Sequence, residues 1–271
     1  MNAPSKIPLM QYEASGSGKP LVMLPGGLTG WLSWISHAQA LSEVRRVYRL
    51  QLLNVALGLS GESLPDGYSV DYEVSALGQT VDELGLTQAD FVAWSYGGEI
   101  GLSYAIHNPD RIRTLTLIEP PAFWVVSEQG PLPGVILEQE RFMQAFPRSE
   151  INDKQLAGFL HHAGLVPDEI DPRTLRQWPL WYEHRQSLRM GDIPFRHKDS
   201  LQLLRAFDKP VLLVKGESSD PNPHHAVIDV LAQQLPNARV ISLPGSHGVP
   251  VVSKEAFLEH LTEFLASPTA V

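Results

Sequence analysis

The 271-residue chain contains no cysteine. That absence removes a disulfide framework, a thiolate nucleophile and any Cys-ligated metal centre, while leaving the redox compartment open. Charge is sparse as well: charged residues make up 19% of the chain, and 21 Lys and Arg against 30 Asp and Glu give a formal net charge of -9. No basic run is long enough to track a phosphate backbone, so nucleic acid is not an expected partner. Long apolar runs are also missing. Met1 to Met10 lack the continuous apolar stretch of a secretory signal, and no later segment is apolar enough to cross a bilayer. A cytoplasmic protein without a membrane span is expected.

What the chain does have is apolar material for a core, with hydrophobic residues at 43%. Its length suits one core domain with one insertion. Strand-like runs at Leu21–Leu24, Val47–Leu53, Phe91–Trp94, Leu115–Ile118, Val211–Val214 and Val240–Leu243 alternate with helical stretches at Trp34–Glu43, Asp71–Leu84, Gly98–His107, His225–Leu235 and Lys254–Leu265. The alternation predicts an α/β fold, a mostly parallel sheet flanked by helices. It breaks once, after Pro120, where the Pro-bounded helical pieces Val135–Phe146, Asp153–His162 and Trp178–Leu188 come without a convincing strand. Residues 1–120 and 198–271 are therefore expected to form the core, and 121–197 a helical cap inserted over the strand ends. The first dozen residues read as a loose lead-in.

Ser95 follows an apolar strand and precedes a helix, in Phe91-Val92-Ala93-Trp94-Ser95-Tyr96-Gly97-Gly98. A serine at a sharp strand-to-helix turn needs small residues two before and two after it, where strand and helix nearly touch, and Ala93 and Gly97 meet that need. An ordinary helix N-cap is the bland alternative for Ser95. Two further segments argue against it. Leu21-Val22-Met23-Leu24-Pro25-Gly26-Gly27-Leu28 is a strand running into a Gly-containing loop, from which Gly27 or Leu28 could supply one backbone N–H of an oxyanion hole, with Tyr96 supplying the other. His247, in Gly245-Ser246-His247-Gly248, follows the last strand, where a general base can reach the serine.

These landmarks, with Asn108-Pro109-Asp110-Arg111-Ile112 and Leu117-Ile118-Glu119-Pro120-Pro121, resemble the α/β-hydrolase superfamily from Leu21 to the C-terminal helix. Two departures stand out. Pro25 occupies the place of a common His, and Leu53-Asn54-Val55-Ala56-Leu57-Gly58-Leu59-Ser60 replaces the usual Asp-x-x-Gly-x-Gly-x-Ser loop. The resemblance implies a Ser–acid–His triad and no cofactor. It also argues against epoxide hydrolases and haloalkane dehalogenases, whose nucleophile is Asp. For the acid it leaves two candidates in the required chain order. Asp220 follows the strand Val211–Val214 but sits one position later than the usual Gly-x-x-Asp spacing, and Glu119 ends the strand after the nucleophile helix, as in certain fungal lactonases. Register favours Glu119.

The expected reaction is hydrolysis of a carboxylic ester or lactone through an acyl-enzyme. A C–C bond hydrolase, amidase or cofactor-free perhydrolase would use the same groups, and a ligand receptor with little turnover is the rival from a different class. All six tryptophans fall in segments expected to border the pocket mouth: Trp31 and Trp34 after the oxyanion loop, Trp94 before the serine, and Trp124, Trp178 and Trp181 in the insertion. With Phe123 they predict an apolar pocket for a hydrophobic or aromatic small molecule. The pairs His161-His162 and His224-His225 lack helical zinc-site spacing and predict no metal.

Overall fold

A computed structural model describes residues 7–218 and 223–268. Seven strands form one sheet: β1 (Tyr12–Ser15), β2 (Pro20–Leu24), β3 (Arg46–Leu50), β4 (Ala89–Trp94), β5 (Ile112–Ile118), β6 (Val211–Gly216) and β7 (Ala238–Leu243). Their spatial order is β1-β3-β2-β4-β5-β6-β7. Only β1 runs antiparallel to its neighbour. Because parallel neighbours need long crossovers, helices are laid on both faces.

Between β2 and β4 lie α1 (Ile35–Leu41), α2 (Leu53–Ser60) and α3 (Val70–Glu83), and α4 (Tyr96–His107) joins β4 to β5. The stretch from β5 to β6 contains α5 (Trp124–Ser127), α6 (Gly134–Gln144), α7 (Asp153–His162), α8 (Trp178–His184), α9 (Ile193–Arg196) and α10 (Leu201–Ala206), and no described strand. The chain then continues through α11 (Pro223–Gln234), α12 (Val249–Val252) and α13 (Lys254–Ala266).

The period-two alternation of β2 divides the core. Val22 and Leu24 join one apolar cluster, with Phe91, Ala93, Leu115 and the inner faces of α3, α4 and α11, while Leu21 and Met23 join the other, with Val92, Trp34, Phe257 and Leu261. All six residues of β4 are buried, as expected of a strand covered on both faces. A third cluster gathers Met143, Phe146, Leu156, Leu160 and Leu188 of the insertion around Leu28 of the β2–α1 loop. The insertion thus packs directly onto the loop at the mouth of the sheet.

Of the expected loose lead-in, residues 1–6 lie outside the described residues, residues 7–11 carry no regular element, and Tyr12 opens the edge strand Tyr12–Ser15, ordered by pairing to β3 in register Tyr12↔Leu50. One local expectation is corrected. Leu53–Ser60 is helical rather than a strand end and loop. Its first N–H groups need acceptors. The buried Glu73 carboxylate supplies them, accepting from Leu53 N at 3.0 Å and Asn54 N at 2.9 Å.

Candidate active site

Ser95 stands at the junction of β4 and α4 with φ 52° and ψ -127°, a backbone conformation that L-residues rarely adopt. The surroundings impose it. Gly97 N–H donates to Pro25 O at 3.2 Å, and a Cβ on Gly97 would lie 2.3 Å from that oxygen. One turn on, a Cβ on Gly101 would meet the Ala93 Cβ at 2.9 Å. The small residues in the motif are therefore a packing requirement of strand against helix.

The next strand repeats the geometry. Glu119 follows β5 with φ 41° and is fully buried. His247 lies in the β7–α12 turn, 6% exposed. Its Nδ1 is 2.9 Å from Glu119 Oε2, and its Nε2 is 2.8 Å from Ser95 Oγ. Burial alone would push the Glu119 carboxyl up. The hydrogen bond from His247, the neighbouring His247 and His224 rings and the N–H of Gly216, at 2.9 Å, instead hold it down at about 2. An ionised carboxylate only accepts, so Nδ1 of His247 carries the proton and Nε2 presents its lone pair to the Ser95 hydroxyl. Chemically, this arrangement can draw a proton from Ser95 and stabilise the resulting imidazolium. Asp220, the other candidate acid, lies outside the described residues.

Beside Ser95, the N–H groups of Gly27, Leu28 and Tyr96 donate to no backbone carbonyl among the described residues. Tyr96 is the first residue of α4, so its N–H is one that a helix leaves open. Gly26 adjoins the serine closely enough that a Cβ on it would be 3.6 Å from the Ser95 Cβ. On the far side, Asn54 Nδ2 donates to Gly27 O at 2.8 Å and to Ser187 O at 3.1 Å. The β2–α1 loop and the stretch between β5 and β6 are thereby joined.

A cavity of about 570 Å³ opens over Ser95 and His247, bounded by the β2–α1 loop, the start of α4, the insertion and α12. Trp94, Phe123 and Trp181 line it, together with Leu28, Met143, Phe159, Leu188, Met190 and Phe195. Four of the expected aromatic wall residues do not. Trp34 is wholly buried in the sheet's second core, near-parallel to Phe257, and Trp124 is buried in the first core. Trp178 packs on the insertion's own cluster beside Tyr182. Trp31 is also absent from the wall; its backbone is tied away to Gln51 and Arg49. Nearness in sequence to a site loop placed these rings near the site without aiming them into it.

Sequence reasoning also missed a cavity residue, His224, which it had dismissed with His225. The His224 ring stacks on His247 with centroids 4.5 Å apart and planes 16° from parallel. Burial, followed by the neighbouring His247, lowers its pKa to about 3, so it stands as a neutral ring against His247. No local pattern marked it, since a His pair at the start of a helix is ordinary.

With this geometry in place, the comparisons with known proteins assign the class. The family model for the alpha/beta hydrolase fold matches residues 19–251, and the chain belongs to that family. Among curated proteins it is similar to 2-hydroxymuconate semialdehyde hydrolase of Pseudomonas sp. strain CF600, 31% identical over 189 residues that cover 62% of this chain and 65% of that enzyme. It is 27% identical to the non-heme chloroperoxidase CPO-A1 of Kitasatospora aureofaciens over 267 residues, 94% of each chain. Among solved structures, an esterase of Rhodococcus sp. ECU1013 superimposes with a TM-score of 0.73 at 20% identity, covering 95% of this chain and 94% of that one. The chain is a hydrolase of this fold, and no helix among its described residues is long and apolar enough to cross a membrane.

Proposed function

We propose that the protein hydrolyses a carboxylic ester or lactone of an apolar small molecule through an acyl-enzyme. The observation that carries this reading is the continuous chain from Ser95 Oγ through His247 to the ionised Glu119, opening into an apolar cavity. Ser95 attacks the carbonyl while Nε2 of His247 takes its proton. Tyr96 N–H, with Gly27 or Leu28 N–H, receives the developing oxyanion, and His247 returns the proton to the leaving alcohol. Water activated by His247 then releases the acid. No cofactor is required. Residues 121–197 act as a cap whose Phe159, Trp181 and Leu188 form the roof of the pocket.

The same groups could serve a C–C hydrolase, and the first relative's name gives a 2-hydroxymuconate semialdehyde as its substrate. Against this, the cavity wall carries no Lys or Arg among the described residues. A muconate-type substrate bears a carboxylate, and burying that charge without a cation is costly. A neutral ester fits better. Perhydrolysis, suggested by the chloroperoxidase name, would replace water by hydrogen peroxide at the second step.

The test is Ser95→Ala with a fluorophosphonate label and an ester panel graded in chain length and aromatic content. Label and turnover are expected to vanish together in a folded protein, and apolar esters to be preferred. Persistent labelling without Ser95 would overturn the nucleophile, and turnover confined to carboxylated dienes would overturn the substrate class.

A further inference from the structure

Trp94 is the residue immediately before Ser95, yet its side chain is tied to the other half of the proton-transfer pair. Its indole Nε1–H donates to the backbone carbonyl of His247 at 2.9 Å, and both groups are buried. The ring has little freedom to do otherwise. It is 7% exposed, meets Trp34 edge-on with centroids 6.0 Å apart, and lies against Gly26, where a Cβ would come within 3.6 Å of Trp94 Cε3. Its backbone is equally fixed, because Trp94 pairs with Ile118 in the β4–β5 register and Ser95 N–H donates to Ile118 O at 2.9 Å.

The loop bearing His247 has other anchors, but they act on its neighbours. Ser218 N–H donates to Gly245 O at 2.8 Å, Val249 N–H donates to Ser246 O at 2.9 Å, and the Ser246 hydroxyl donates to Gly164 O in the insertion. The backbone carbonyl of His247 itself is held by the indole. One residue is thus bonded covalently to the nucleophile and hydrogen-bonded to the residue carrying the base. A shift of the histidine loop relative to the β4–α4 turn must break a buried hydrogen bond, which leaves a carbonyl unsatisfied.

We propose that Trp94 is a positioning residue, whose indole N–H sets the separation of Ser95 Oγ and His247 Nε2 by holding the His247 backbone. This rests on the reading of Ser95 and His247 as nucleophile and base. Trp94 also lines the cavity, so the experiment has to separate the N–H from the ring. Replacing Trp94 with β-(3-benzothienyl)alanine keeps the shape and removes the donor, and Trp94→Phe serves as a second variant that removes both.

For the benzothienyl variant, kcat and the second-order rate of fluorophosphonate labelling are expected to fall by at least about tenfold. The scale is set by the roughly hundredfold that an ångström of misplacement can cost. KM should stay within about twofold and the shape of the pH profile should be retained, because the groups that titrate are untouched. A raised KM with labelling at the normal rate would make Trp94 only a pocket wall and overturn the proposal. A lowered melting temperature with normal kcat per folded molecule would make it only a core residue, with the same consequence. Ser95→Ala, run beside these variants, separates the two claims. If Ser95→Ala still turns over substrate, the underlying reading fails; if it is dead while the benzothienyl variant works normally, the Trp94 proposal alone fails.

Discussion

Ser95 and Glu119 are the two non-glycine residues with positive φ among the described residues, at 52° and 41°. They occupy equivalent places, each one residue past the end of neighbouring parallel strands whose last residues, Trp94 and Ile118, are paired. Each is also tied to the next strand, Ser95 N–H to Ile118 O at 2.9 Å and Glu119 N–H to Val214 O at 3.2 Å. Such conformations cost of order 1–3 kcal/mol each and persist where surrounding structure fixes them. Here they turn both side chains toward His247.

Glu119→Gln preserves this strained geometry and removes the charge, and so tests the acid directly. The amide can donate to Nδ1 as readily as accept from it, so it no longer enforces the Nδ1–H tautomer, and it cannot stabilise an imidazolium as a carboxylate does. Expected is a loss in kcat of several powers of ten, about 10⁴ in the serine-protease precedent, with KM little changed. Asp220→Asn is the paired comparison, expected to cost less than tenfold. The opposite ranking, measured on folded variants, would transfer the acid role to Asp220.

The cavity wall yields a second prediction. Trp181 faces the pocket while Trp178, one turn away, packs on Tyr182 and the insertion's apolar cluster. Trp181→Ala is expected to raise KM for bulky apolar esters several-fold and to leave small acetates nearly unchanged. Trp178→Ala should act on thermal stability instead. Equal effects of the two on a KM series would mean that the rings bind the insertion in place rather than contact substrate.

The contrast between these rings shows where the sequence was readable. The turn at Ser95 was legible because its steric demand is local: Ala93 and Gly97 lie two residues either side of the serine, and only the contact of Gly101 with Ala93 had to wait for the structure. His247 was legible from its place after the last strand. Glu119 could be proposed by register, but its bonds to His247 and Gly216 are made over separations of 128 and 97 residues, which no local pattern encodes. The helix Leu53–Ser60 was hidden for the same reason, since its capping carboxylate is 20 residues away from Leu53. Trp34 and Trp124 misled because an aromatic beside a site loop has two faces of the sheet to choose from, and both took the core.

Acid sensitivity should carry the mark of His224. Burial and the adjacent His247 depress its pKa from 6.5 to about 3, so the unfolded chain takes up a proton that the folded protein refuses. Its contribution is fully present above pH 6.5 and is lost as pH falls toward 3. Glu119, held at about 2 against an ordinary 4.5, adds to the loss only in the lower part of that range. His224→Phe keeps a stacked ring and removes the titration. Urea titrations at a series of pH values should show a flatter decline between about pH 6.5 and 4.5 in the variant. An unchanged slope would show that His224 is not the group responsible.

The opposite pH trend should come from Glu99, one turn into α4 beyond Ser95. Both of its carboxylate oxygens are buried without a hydrogen-bond partner among the described residues. Burial, then the nearby Asp71 and Asp199, push its pKa well above the ordinary 4.5. In the folded protein this carboxyl holds its proton where the unfolded chain releases it. The stability it contributes is therefore complete below pH 4.5 and declines as pH rises toward the folded-state value. Glu99→Gln fixes the group in a neutral form of nearly the same shape and removes that decline. The variant should melt at a higher temperature than the parent at pH 8, and the difference should shrink toward zero near pH 4. A constant difference across this range would trace the effect to packing of the amide. A parent more stable than Glu99→Gln at pH 8 would mean that the carboxylate is ionised and paired in the folded state.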